Sequence, residues 1–325
     1  MQLPKILTPF AATALLACTA PLASTPADSA NTTRVASALT SSRELPSTTS
    51  SASGDDVLRE MQQAFRKNDR KKLTQLLPAA RGHLLEPWAA YWELRARLDE
   101  ASAEEINAFL QRWSGTYQED RLRNDWLLLL GQRRDWSRFA PQHAHYRMSD
   151  DREVRCYALT IDLLRGKQPA ATIAAEVRQQ WHNARDADDG CTYAASELFA
   201  ARQLSALDVW REARLSMEAN RPRAVRNAVT IVAPEAVSQL NALYDKPAQF
   251  LQSRATAAGR QRQELVVLAL IRLAANNPDS AAEQLENKWG VHLSAEERHW
   301  VWGVLGKKAA FRLSPQASKI GRAHV

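Results

Sequence analysis

Glycine is scarce in this chain, at 11 of 325 residues, against an average of about 7% in soluble proteins. That scarcity weakens the case for an α/β enzyme with glycine-rich phosphate loops. No GxxxxGK followed by Ser or Thr, no GxGxxG and no GxSxG occurs. Cysteine is scarcer still, three residues with no CxxC pair, which excludes a disulfide mini-protein. There is no acidic excess: Lys+Arg is 43 and Asp+Glu is 36, a formal charge of +7. An acidic-tail protein is therefore ruled out, and the composition also rules out a multi-span membrane protein. What is present is 45% hydrophobic and 24% charged residues, enough to bury a core. The length suits one large domain or two ordinary ones. Ten tryptophans are many and need an account.

The chain ends read as segments outside the fold. Residues 1–23 have the form of an export signal: Lys5 is the positive start, and Ile6 to Ala17 is mostly apolar. That stretch, about 12 residues, is too short to span a membrane and fits a signal core. Pro4 and Pro9 argue against a stable spanning helix, and cleavage after Ala20 or Ala23 fits the small residues there. Leu15-Leu16-Ala17-Cys18 loosely resembles a lipobox, which would make Cys18 a lipidated N-terminus; otherwise Cys18 leaves with the signal. Residues 24–54 are rich in Ser, Thr, Ala and Pro. Such a stretch cannot offset its ordering entropy by burial and is expected to be a flexible tether. At the other end, Ile320-Gly321-Arg322-Ala323-His324-Val325 looks like the translation of a common sequencing adapter. Residues 319–325 are thus expected to be non-native, the natural chain continuing past about Ser318; a genuine frayed terminus is the alternative.

Between them, residues 55–318 carry helical period almost throughout. Val57, Leu58, Met61 and Phe65 share a face, as do Ile106, Phe109, Leu110 and Trp113, and Val154, Tyr157, Ala158 and Ile161. Leu265, Leu268 and Ile271 repeat every three residues, a looser match. No sustained period-2 alternation occurs, and the β-branched run Val229 to Val232 lies in a helical context. Ser102 with Glu105 and Ser294 with Glu297 have capping-box spacing, and Ser205 with Asp208 is a looser version. Pro87, Pro169, Pro222, Pro247 and Pro278 sit where first helical turns can begin. Punctuation at Asn68-Asp69, Gly115, Gly131, Gly190, Asn220 and Gly290 predicts about a dozen short helices in antiparallel pairs. A long all-α chain of this kind buries each pair on the next, so the expected fold is a helical-repeat superhelix. No strict tetratricopeptide consensus is present. The tryptophans mostly fall on apolar faces and would fill gaps between pairs, with sugar stacking as the alternative for one or two.

Other constellations carry little chemistry. If Cys18 is cleaved or lipidated, Cys156 and Cys191 remain, and in an oxidising compartment they should pair; two buried free thiols are the alternative. Such a bridge would stabilise by roughly 3–4 kcal/mol in the chain-entropy estimate. His143-x-His145 lacks further ligands and is a poor metal site. No cofactor-binding or metal residue is expected. Arg66 to Lys72, and Arg254 with Arg260 and Arg262, read as solvated basic faces. Export makes nucleic acid an unexpected partner despite the basic charge.

Pro87-Trp88-Ala89-Ala90-Tyr91-Trp92-Glu93-Leu94 resembles an early helix of the U-shaped domain of soluble lytic murein transglycosylases. Phe109-Leu110, then Asp120 to Leu127, Gly131 and Asp135-Trp136, is similar to that domain's next repeats. Ser205, Trp210, Arg214 and Asn220 look like the following hairpin, and Glu296 to Gly303 with Ala309-Ala310 like a late repeat. Cys156 and Cys191 fall where the family can carry a disulfide. The resemblance covers residues 55–318 and is structural rather than catalytic. It implies a superhelix forming part of a ring that handles peptidoglycan glycan strands in the periplasm, with an outer-membrane lipid anchor if Cys18 is modified. The family cleaves the bond between N-acetylmuramic acid and N-acetylglucosamine, giving a 1,6-anhydro product. Its single catalytic glutamic acid lies in a lysozyme-like domain within Glu-Ser, Gly-Leu-Met-Gln and Ala-Tyr-Asn motifs. None of these motifs occurs here, so no catalytic residue is assigned. The chain is expected to be the front of such an enzyme, inactive without its missing C-terminal catalytic domain. The competing reading is an exported helical-repeat scaffold or envelope lipoprotein that binds proteins.

Overall fold

The computed structural model describes residues 49–254, 256–314 and 317, all within one unit, Thr48–Val325. The expected signal, Cys18, most of the tether and the 319–325 tail lie outside the described residues. Sixteen α-helices and no strand occur among the described residues. They are α1 (Thr49–Arg66), α2 (Arg70–Leu76), α3 (Glu86–Ala96), α4 (Ala103–Arg112), α5 (Tyr117–Gln132) and α6 (Trp136–His143). There follow α7 (Arg152–Leu164), α8 (Ala170–His182), α9 (Asp189–Ala200), α10 (Ala206–Glu218) and α11 (Pro222–Val232). The last are α12 (Leu240–Asp245), α13 (Pro247–Gln252), α14 (Arg260–Asn276), α15 (Pro278–Gln284) and α16 (Ala295–Phe311). Tight turns at Leu77–Ala80 and Pro234–Gln239 and a π-turn at Leu285–Trp289 join some of them. The chain is an all-α superhelix in which helices pack mainly on near neighbours.

Local chemistry explains the boundaries. All three Ser-initiated capping boxes form, at Ser102–Glu105, Ser205–Asp208 and Ser294–Glu297. Each closes two backbone N–H groups that would otherwise face no acceptor. Pro222, Pro247 and Pro278 open their helices, and Pro87 sits in the first turn of α3. Pro169 differs: it is the N-cap residue of α8, one position before the first turn. Asn68 and Asn220 take left-handed backbone (φ 54 and 56) at helix ends, a conformation asparagine tolerates well. Helix α1 starts at Thr49, so residues 49–54 of the expected tether are helical and continue into the amphipathic face of Leu58 and Met61.

Two of the expected breaks are packing sites instead. Gly131 lies inside α5, where a Cβ would come within 2.3 Å of the Tyr157 ring on α7. Gly190 lies in the first turn of α9, where a Cβ would meet the Glu153 carbonyl oxygen at 2.5 Å. Helix α7 thus sits tightly between α5 and α9, and the Cys156–Cys191 disulfide joins α7 to α9. Trp126, Trp181, Trp210 and Trp289 are buried, while Trp88, Trp92, Trp113, Trp136 and Trp300 pack partly buried against the core. The looser pattern in α14 has a simple cause. Every residue from Glu264 to Ile271 is buried, so the helix has no polar face to set a period.

Candidate functional site

Four buried or half-buried carboxyls have raised pKa values, the property an acid for glycosidic-bond cleavage needs. Glu212 on α10 is 2% exposed, and burial pushes its pKa up to about 7 against the opposing bond from Ser216. The Ser216 hydroxyl donates to Glu212 Oε1 at 2.7 Å, while Oε2 has no partner. Burial likewise raises Glu218, which accepts from Trp300 Nε1 at 2.7 Å, and Glu153, which accepts from the Tyr157 hydroxyl. Glu264 is also raised by burial, yet Arg214 grips both its oxygens at 2.9 and 2.8 Å. None of these four carboxyls lines any of the clefts described below. A general acid must reach its substrate before its pKa matters, and these carboxyls face protein partners instead.

The largest of these clefts, about 610 Å³, lies between the end of α1, α3 and α5. Its floor is a fixed polar set. The Tyr91 hydroxyl donates to Asp125 Oδ2 at 2.8 Å, and Arg95 Nε lies 3.0 Å from the same oxygen. Burial, then the Asp125 carboxylate, pushes Tyr91 up to about 12, so it stays a donor. Phe65, Leu98 and Leu128 supply apolar wall, and Asn68, Gln132 and Arg70 ring the mouth. Arg70 is held by Glu100 at 2.5 Å and Asp99 at 3.2 Å. Apolar walls with a few oriented polar groups, at a volume between roughly 300 and 1,000 Å³, are the general character of ligand sites. Beside the cleft, Phe65 packs on Trp92, Trp92 on Trp88 and Trp88 on Tyr117, with centroids 6.3, 6.0 and 5.7 Å apart. Tyr117 is 55% exposed.

A second cleft of about 560 Å³ opens between α4, α5 and the segment after α6. Asn107, Gln111 and Gln142 line it with Ser114 and Arg147. Arg123 holds the Gln142 amide and Glu119, and Arg147 also reaches Glu119, at 2.8 Å. Arg123 and the backbone N–H of Gly115 hold the Glu119 carboxyl below the usual range although burial opposes them. An ionised, fully engaged carboxylate cannot donate a proton.

The structure separates the two histidines of the His143-x-His145 pair. His143 is stacked on Phe139 at 5.6 Å in a small cleft with Arg155, and burial followed by Arg155 lowers its pKa. His145 lines the second cleft instead. No cluster of three His, Cys, Asp or Glu suited to a metal occurs among the described residues. No motif in the sequence marks the floor of the first cleft. Its signal was the run Asp120 to Asp125, in which Asp120, Arg123, Asn124 and Asp125 are all buried. Polar residues buried on several sides of one helix need partners on neighbouring helices, and Tyr91 and Arg95 are such partners.

Comparison with known proteins bears on the fold. No family model matches the sequence, and no curated protein matches it. Among solved structures, an inactive mutant of the lytic transglycosylase Slt from Pseudomonas aeruginosa is similar to 82% of this chain at 24% identity, with a TM-score of 0.51. The 70-kDa soluble lytic transglycosylase from Escherichia coli is similar over 83% of the chain at 14% identity and a TM-score of 0.49. A 70-kDa soluble lytic transglycosylase in complex with bulgecin A gives 83%, 15% and 0.47. The chain spans 44% of the length of each. The first of these likenesses supports the superhelical fold.

Proposed function

We propose that this chain is the superhelical portion of a periplasmic peptidoglycan lytic transglycosylase, exported by residues 1–23 and holding glycan strands rather than cutting them. The observation that carries this reading is the fold likeness to Slt over 82% of the chain, on top of the repeat motifs quoted above. In this reading the two polar clefts contact glycan, the Asn, Gln and Arg side chains meeting hydroxyl and acetamido groups. On the same reading the 1,6-anhydro-forming cleavage belongs to a separate catalytic domain, because the Glu-Ser, Gly-Leu-Met-Gln and Ala-Tyr-Asn motifs do not occur in this sequence. Residues 156 and 191, as a disulfide, suit an oxidising compartment. Cys18 is the candidate for a lipid anchor.

The test is sedimentation of the purified chain with isolated sacculi. The chain is expected to co-sediment, and R70A with Q132A, both at the cleft mouth, should lower the bound fraction several-fold. Mass spectrometry of the supernatant should show no anhydromuropeptides. A chain that stays in the supernatant sinks the glycan-holding role. Release of anhydromuropeptides sinks the assignment of the chemistry elsewhere.

A further inference from the structure

A further cleft, of about 510 Å³, lies between the turn ending at Gln239, the segment after α13 and the start of α14. Among the described residues its lining is Gln239, Arg254, Thr256, Gln261, Arg262 and Leu265, with no carboxylate. Arg254 is held in place from three sides. Its guanidinium sits 4.2 Å over the Phe250 ring, and its Nη2 donates to Gln239 Oε1. Lys288 Nζ donates to the carbonyl oxygens of Leu251 and Arg254, at 3.2 and 2.6 Å, tying the segment to the π-turn. Arg262 lines the same cleft from α14, and no carboxylate is among the described lining residues. By contrast Arg260, two residues earlier, pairs with Glu264 at 3.3 Å. Burial, and then Arg262 as a like charge, pull the Arg254 pKa below its ordinary value. Arg254, held in place, and Arg262, exposed, thus line one cleft in which no described carboxylate offsets their charge. The arrangement gains only when an anion enters.

We propose that this cleft is a binding site for a peptide carboxylate, seated between Arg254 and Arg262. A planar guanidinium matches a carboxylate with two parallel N–H donors. The flanking groups favour a peptide over a bare anion: Gln239 and Gln261 offer amides, Thr256 a hydroxyl, and Leu265 an apolar floor. This site is separate from the two clefts above and does not depend on the glycan reading, since its probe contains no sugar.

The experiment is a titration of the full chain, followed by TROSY NMR, with a triglutamate peptide and, separately, with inorganic phosphate. Peptide should shift the Gln239, Thr256 and Gln261 signals in a saturable way. Affinity should fall at least tenfold in R254Q/R262Q and fall again when salt is raised. R262Q alone changes an exposed side chain; it should leave the melting temperature without ligand unchanged and should bind peptide more weakly. Absence of shifts, shifts that persist in the double variant, or shifts with phosphate but not peptide would each overturn the proposal. Peptide affinity unchanged in R262Q would remove Arg262 from the site and overturn the two-guanidinium seat.

Discussion

Glu212 couples folding to pH. Its carboxyl has a folded pKa of about 7, above the ordinary 4.5, because burial disfavours the charged form. Below about pH 4.5 the group is protonated whether the chain is folded or not, and its contribution is fully present. As pH rises from about 4.5 through about 7 the unfolded chain releases a proton that the folded protein must keep or exchange for a buried charge, and stability is lost across that window. Glu212→Gln keeps the acceptor for Ser216 and removes the ionisation. It should leave unfolding near pH 3.5 almost unchanged and stabilise by about 1–3 kcal/mol at pH 8. Urea unfolding at the two pH values measures this; an equal difference at both would show that the charge is not the cause. Gly131 makes the opposite point about a residue with no side chain. In an exposed helix Gly→Ala gains up to about 1 kcal/mol. Here the new methyl meets the Tyr157 ring at 2.3 Å, so Gly131→Ala should destabilise by about 1–3 kcal/mol as overpacking does. Thermal unfolding decides the sign.

Arg214 does for whole elements what those residues do locally. It lies on α10, fully buried, and bonds Glu264 of α14 twice and Glu296 of α16 at 2.9 Å. Burial alone would lower its pKa, but bonds from Glu264 and Glu296 carry it above the ordinary value. Glu297, also fully buried, has one oxygen on the Ser294 N–H and the other 3.9 Å from both Arg214 and Arg260. Arg214→Met would leave two buried carboxylates with only Arg260 nearby. The expected cost is about 3–5 kcal/mol, as for breaking other buried pairs from one side, and guanidinium unfolding should show it. A loss under 1 kcal/mol would mean that solvent enters this junction. The same elements show what the sequence made legible. Ser294 and Glu297 announced the start of α16 because a cap is a local signal, complete within four residues. The Arg214–Glu264 pair was not legible, since its partners are 50 residues apart and each alone looks like surface charge. The helix ends at Arg134 and Arg202 were also missed. Both residues take left-handed backbone (φ 56 and 58), where sequence would place glycine or asparagine.

Over the described unit, the apolar core is divided along the chain. Leu58, Met61 and Leu73 form a cluster with Ala80, Ala89 and Ala96, closed by α1 to α3. Tyr91, Ile106, Trp126, Phe139 and Tyr157 belong to the next, and residues from Cys156 to Ala309 share the third. The first two clusters touch through Phe65 and Trp92, which pack on both. The disulfide sits where the second gives way to the third, joining α7 to α9. Such near-neighbour packing makes stability a sum of unit and junction terms, so parts can open without the whole. Met61→Ala removes a fully buried side chain from the first cluster and should cost about 2–5 kcal/mol locally. Hydrogen exchange should therefore quicken in α1, α2 and α3, fade through α5, and stay unchanged in α10, α14 and α16. With the disulfide reduced, the quickening should extend into α7 and α9, because the covalent tie between those helices is gone. Uniform acceleration from Thr49 to Phe311 in the oxidised protein would instead mean that one cooperative core spans the chain, and the repeat description of its stability would fail.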